Sequence, residues 1–280
     1  MKRGARVGTL LALMVAAGTI GLEAQTDIEY ARAGSLSLRL DAYPPRGTSA
    51  TPAPAVVLVH GGAWVKGDRR VNVEPLVGPF TQAGFGVFSI SYRFAPDFLY
   101  PAAVDDVRSA IRFVRANAAR FAIDSARISL VGESAGAQLA SLAALDADPE
   151  SAVQAVVSLY GPMDFVRLAD TSSAVPEGLR RMAQETILST LLAGGLRAMS
   201  PITFVRPGLP PFLFVHGTAD PIVPSEQSTR MCAAIRSVNG QCEVQLVQGG
   251  GHGLRDWEQD PAQAAYKSSL IEWLRARLRP

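Results

Sequence analysis

Apolar residues come in short uninterrupted runs through the middle of the chain, and the runs recur with turn-forming residues between them. Ala55-Val-Val-Leu-Val59 is the first; with no polar alternation, it reads as a strand covered on both faces. Gly86-Val-Phe-Ser-Ile90, Ile128-Ser-Leu-Val131, Ala155-Val-Val-Ser-Leu159 and Phe212-Leu-Phe-Val215 read alike, while Val244-Gln-Leu-Val247 is more amphipathic. Residues 35–40 alternate polar and apolar, as a half-buried strand does. Behind Pro101, residues 101–117 place Val104, Val107, Ile111 and Val114 at three- and four-residue intervals, which predicts an amphipathic helix. Residues 135–145, 226–238 and 261–278 supply further helices. Strands alternating with helices predict an α/β fold: a doubly wound, mostly parallel sheet with helices on both faces. Residues 164–207, with a helical-looking centre at 178–192, break the rhythm and read as a cap inserted over one end of the sheet. Residues 25–54 are then an N-terminal strand and a Pro/Ser/Thr-rich linker, and 55–280 a single domain.

The first 24 residues stand apart. Lys2, Arg3 and Arg6 precede an uncharged stretch at 7–22, the pattern of an export signal cleaved near Ala24. A retained anchor is the alternative, but the stretch is short against the ~20 apolar residues that span a bilayer. The chain is therefore expected to be periplasmic or extracellular, without stable membrane insertion after signal removal. A balance of 27 basic and 25 acidic residues gives no basic face for nucleic acid. The two cysteines, Cys232 and Cys242, would meet an oxidising compartment, so a disulfide is expected; the alternative is two free thiols. Two cysteines without a neighbouring histidine are too few ligands for zinc, and neither metal nor cofactor is expected.

Chemistry concentrates where runs end. Gly132-Glu-Ser-Ala-Gly136 falls between the run ending at Val131 and the Ala- and Leu-rich helix, the strand-to-helix context in which a G-x-S-x-G turn exposes a nucleophile, here Ser134. As a mere helix N-cap, Ser134 would leave the other motifs unexplained. His60-Gly-Gly-Ala-Trp64 follows the first buried strand; its small residues let backbone N–H groups face an oxyanion, so Gly62 and Ala63, with Ala135, are the expected donors. Trp64 either lines the substrate pocket or packs beneath it. Of three histidines, His60 belongs to this loop and His216 to a turn, which leaves His252, in Gly249-Gly-Gly-His-Gly253, as the base. Asp220, after the penultimate strand, is the expected acid, with Asp164 in reserve and Asp256 too close to His252 in sequence. Base catalysis by a neutral imidazole predicts activity rising with pH through roughly 6–7.

The order Ser134, Asp220, His252 is that of α/β-hydrolases. The chain resembles the esterase/lipase group related to hormone-sensitive lipase, and most closely its short bacterial feruloyl-esterase-like members. The resemblance rests on His60-Gly-Gly-Ala-Trp64, Ser91-Tyr-Arg-Phe-Ala-Pro96, Tyr100-Pro-Ala-Ala-Val-Asp-Asp106, Gly132-Glu-Ser-Ala-Gly136, Tyr160-Gly-Pro-Met-Asp164, Ser200-Pro201 and His216-Gly-Thr-Ala-Asp-Pro-Ile-Val-Pro224. It implies the α/β-hydrolase fold and hydrolysis of a carboxylic ester, small or polysaccharide-linked, with acetyl and feruloyl esters the first candidates. An arylformamidase, a prolyl-oligopeptidase-like peptidase and a silent binding protein on the same fold are the alternatives. Ala63 departs from the third glycine of the family's oxyanion loop, and the large N-terminal cap of hormone-sensitive-lipase relatives is not expected here.

Overall fold

The computed structural model describes residues 23–47, 51–169 and 195–279. Its strands are β1 Gln25–Ala33, β2 Leu36–Tyr43, β3 Ala53–Val59, β4 Gly86–Ile90, β5 Ile123–Glu133, β6 Ala155–Leu159, β7 Phe212–Gly217 and β8 Cys242–Val247. They form one sheet in the order β1-β2-β4-β3-β5-β6-β7-β8. β1 and β2 pair antiparallel, as do β2 and β4. Every pairing from β4 through β3 to β8 is parallel. The sheet is thus doubly wound and mostly parallel, with an antiparallel edge.

The uninterrupted apolar runs are explained by β3. Its Ala55, Val57 and Val59 face one core, and Val56 and Leu58 face the other. The first core is closed by α2 (Ala102–Ala116) through Val104, Val107, Ile111 and Val114, and by α3 (Ala135–Leu145). The second is closed by α1 (Glu74–Gln82) and by a C-terminal helix, Tyr266–Arg277, through Leu76, Phe80, Leu270 and Leu274. Because side chains alternate along a strand, a residue of either parity is buried, and a polar one needs a partner. Ser129 has one: its Oγ donates to Ala55 O.

The boundaries differ from the sequence reading in places. The stretch read as linker to residue 54 already contains the start of β3, since Ala53 N–H donates to Ala122 O. β1 has no signature in the sequence, because most of its residues are only half-buried or exposed. Nor has α1, which has Pro75 at its start and Pro79 inside it. The helix expected over 261–278 is two pieces, Pro261–Ala264 and Tyr266–Arg277. Of the segment 164–207, read from the sequence as a cap, the described elements are helix α4 (Phe165–Ala169), helix α5 (Gly195–Met199) and a 3₁₀ turn at Pro201–Phe204. Its expected helical centre lies outside the described residues, as does the stretch up to residue 22 read as an export signal.

Helix α6 (Glu226–Ser237) packs on β7 and β8, and Cys232 on α6 is disulfide-bonded to Cys242 at the start of β8. Both halves are buried.

Candidate active site

Segments following β3, β5, β6, β7 and β8 all leave the sheet at its carboxyl edge, where parallel sheets gather ligands. Ser134 sits at the sharpest of these turns. Its backbone is held at φ 51°, ψ −119°, a conformation that costs a non-glycine residue energy, and its N–H donates to Leu159 O on the neighbouring strand. The turn closes because Gly136 has no side chain: a Cβ there would meet Val59 O at 2.2 Å and His60 O at 2.3 Å. Ser134 occupies the N-cap position of α3, yet its hydroxyl makes no cap hydrogen bond. It is 2.9 Å from His252 Nε2 instead.

Across the ring, His252 Nδ1 is 2.7 Å from Asp220 Oδ2. A carboxylate only accepts, so Nδ1 carries the proton and Nε2 presents its lone pair to the serine hydroxyl. The Asp220 carboxylate is buried and well supplied with donors. Its Oδ1 accepts from Ile222 and Val223 N–H at 2.8 and 2.9 Å. Its Oδ2 also lies 3.3 Å from His216 Nε2. Burial works to raise this carboxyl, but the hydrogen bonds from His216, His252 and Val223 N–H outweigh it and hold it far below the usual carboxylate range. Asp220 therefore faces His252 as an anion. His216 is fully buried, donating to Val223 O at 2.8 Å through Nε2 and accepting from Ser228 at 2.7 Å through Nδ1. Asp164 is occupied elsewhere, 3.2 Å from Arg230.

The loop after β3 turns back on itself with left-handed φ at three successive residues, Gly62 (127°), Ala63 (52°) and Trp64 (64°). At Gly62 only glycine fits, since a Cβ would lie 1.9 Å from Lys66 O. Val65 and Lys66 N–H both donate to Gly62 O, which locks the turn. Among the described residues, the N–H groups of Gly62, Ala63 and Ala135 have no protein acceptor. His60 braces the loop from beneath: its Nδ1 donates to Gly61 O at 2.7 Å and its ring stacks on Tyr92 at 4.5 Å. Burial pushes the His60 imidazole below its ordinary value, against the pull of Gly61 O.

Several residues at the site have roles that the motifs containing them do not reveal. Glu133, buried beside the nucleophile, accepts from Gly61 N–H at 2.9 Å and from Tyr160 Oη at 2.6 Å. Burial pushes its carboxyl up, against those two hydrogen bonds. Tyr160, fully buried just after β6, sets the edge of its ring on His252 at 4.8 Å. Trp257 packs behind Tyr160 and donates to Gly251 O at 3.0 Å. The glycines around His252 admit this packing: a Cβ on Gly250 would meet Trp257 Nε1 at 2.7 Å.

Above Ser134 lies a cavity of about 330 Å³. Its walls are largely apolar, from Trp64, Pro162, Phe165, Leu168, Ile222 and Val223. Trp64 both lines it and packs downward, donating to Gln138 Oε1 on α3 at 2.9 Å.

The family model that matches the chain is BD-FAE, over residues 40–235. Esterase LipC of Mycobacterium tuberculosis is 33% identical over 228 residues, which is 77% of this chain and 56% of LipC. The chain spans about half the length of the curated relatives it matches. Among solved structures, a truncated carbohydrate esterase from gut microbiota superposes with a TM-score of 0.78 at 26% identity, covering 92% of this chain and 97% of that one. Thermogutta terrifontis esterase 2 with butyrate bound gives 0.71 at 26% identity, covering 93% and 96%.

Proposed function

The chain belongs to the BD-FAE family and has the α/β-hydrolase fold, and from that premise we propose that it is a serine carboxylesterase. The observation that carries the reading is the unbroken hydrogen-bonded line from Asp220 through His252 to Ser134, ending under a cavity beside the backbone N–H groups of Gly62, Ala63 and Ala135. Ser134 attacks the ester carbonyl as His252 Nε2 takes its proton, and the imidazolium is stabilised by ionised Asp220. Gly62, Ala63 and Ala135 N–H groups receive the developing oxyanion. Collapse returns the proton from His252 to the departing alkoxide and leaves an acyl group on Ser134. Water, deprotonated by His252, then releases the carboxylic acid and restores the serine.

A 330 Å³ apolar cavity is at the small end of ligand sites, which favours a short acyl group, as does the butyrate held by the Thermogutta esterase. Acetyl esters are proposed as the first substrates, with feruloyl esters as the larger test. Export to a periplasmic or extracellular compartment belongs to the same reading, supported by the basic and uncharged leader and the Cys232–Cys242 bridge. Purified protein is expected to hydrolyse p-nitrophenyl acetate well ahead of peptide or formyl-kynurenine substrates and to be labelled by a fluorophosphonate, with both activities lost in Ser134→Ala. Wild-type protein that takes no label and turns over none of these esters would overturn the proposal.

A further inference from the structure

Trp64 lines two cavities at once. The larger, about 330 Å³, holds Ser134; the smaller, about 30 Å³, lies behind the indole among Phe98, Tyr100, Val104, Leu139 and Met199. The ring is held by two contacts, and the backbone that carries it by a third. Its N–H is bound by Gln138 Oε1, its face tilts against Phe165 at 5.5 Å, and its own carbonyl accepts from Ala95 N–H at 2.9 Å. Gln138 is itself buried, and its amide nitrogen donates to Met199 O at 2.7 Å, so its acceptor oxygen is oriented toward the indole. Among the described residues, the side chain that lines both cavities is Trp64, and it is hydrogen-bonded to the helix that follows the nucleophile.

The side of the substrate that meets this wall follows from the proton path. A leaving alkoxide must take its proton from His252 Nε2, so it departs on the His252 side, the side of Tyr160 and Trp257 in the second core. Trp64 belongs to the opposite side, packed with the first core and with Phe165 and Met199. The acyl group points there. Resting on the esterase reading, we infer that Trp64 is the acyl-length determinant: its indole, positioned by Gln138, closes the acyl pocket, and the cavity behind it is reserve volume that a longer chain would enter only without the ring.

The experiment compares kcat/KM for p-nitrophenyl octanoate with that for p-nitrophenyl acetate in each protein, alongside circular dichroism and thermal melting. Wild type is expected to prefer acetate. Trp64→Ala is expected to raise the octanoate-to-acetate ratio by about ten-fold or more, the size of effect that apolar pocket volume carries in discriminating substrates. Gln138→Met, which keeps bulk but loses the acceptor, is expected to shift the ratio the same way by less, although the substituted side chain would touch no substrate. Leu139→Ala, which enlarges only the rear cavity, is expected to leave the ratio where it was. A folded Trp64→Ala with an unchanged ratio, or one altered toward longer alcohols instead of longer acyl chains, would overturn the assignment. If Trp64→Ala does not fold, Trp64→Leu carries the same comparison with the same outcomes. Wild type inert toward both esters and toward fluorophosphonate would remove the esterase reading itself, whereas active variants with wild-type ratios would remove only the role of Trp64.

Discussion

At Asp220 the hydrogen-bond geometry dictates what a single atom change would do. Oδ1 accepts from two backbone N–H groups, so in Asp220→Asn the amide oxygen stays there and its NH₂ faces His252. The ring must then turn its Nδ1 lone pair toward that NH₂, which moves the proton to Nε2, where Ser134 needs an acceptor. We expect kcat for p-nitrophenyl acetate to fall by on the order of 10⁴ while the melting temperature changes little; a variant retaining a tenth of wild-type activity would contradict this tautomer argument. His60 makes a pH prediction. Burial lowers its pKa from the ordinary 6.5, so below that pH the unfolded chain binds the proton that the folded one resists, and stability falls as pH falls. The melting temperature should drop between pH 7.5 and 5.5 in wild type and drop less in His60→Asn, whose amide can still donate to Gly61 O. Ser134, Asp220 and His252 can be picked from the sequence because motif, order and the scarcity of histidine constrain them. Glu133, Tyr160 and Gln138 cannot, since their partners lie 72, 27 and 61 residues away, and nothing local marks a buried acceptor.

Among the elements, legibility tracks burial. Strands packed on both faces announce themselves as apolar runs, and β3 to β7 are readable for that reason. β1, mostly exposed and half-buried, has no such signature, and its place is decided by pairing with β2. α1 forms despite Pro79 because Leu76 and Phe80 are fully buried against the sheet, a tertiary gain that overrides weak helix propensity. The α6–β8 unit carries a further prediction. Its Cys232–Cys242 bridge closes a short loop, for which the chain-entropy view gives roughly 2.5–3 kcal/mol. Cys232→Ala with Cys242→Ala should lower unfolding free energy by about that amount in urea, with the Ser134 site still competent for labelling. An unchanged urea midpoint would show that the bridge contributes nothing to the folded state's advantage.

The whole molecule is tied together at its antiparallel edge by charge. Asp41 on β2, fully buried, lies 3.1 Å from Arg69 Nε and 2.6 Å from Arg70 Nε, and Asp27 before it binds both arginines. These arginines belong to the segment that continues from the loop after β3, so the hairpin of β1 and β2 anchors one wall of the candidate site. Asp41→Asn leaves Arg69 and Arg70 with the half-exposed Asp27 as their shared counter-charge. Because that partner remains, the expected cost is below the ~3 kcal/mol of an uncompensated buried charge, and is measured as a lower melting temperature. A melting temperature equal to wild type would mean that solvent already screens the cluster.

The hydroxyl of Ser134 and the imidazole that would activate it are separated by 118 residues, with the base on a loop after the last strand of the sheet. On the proposed mechanism, a nascent polypeptide is therefore harmless for most of its synthesis. Until β8 docks at the edge, the serine is an ordinary alcohol, and a chain stalled anywhere between the two carries no threat to the esters of the cell that makes it.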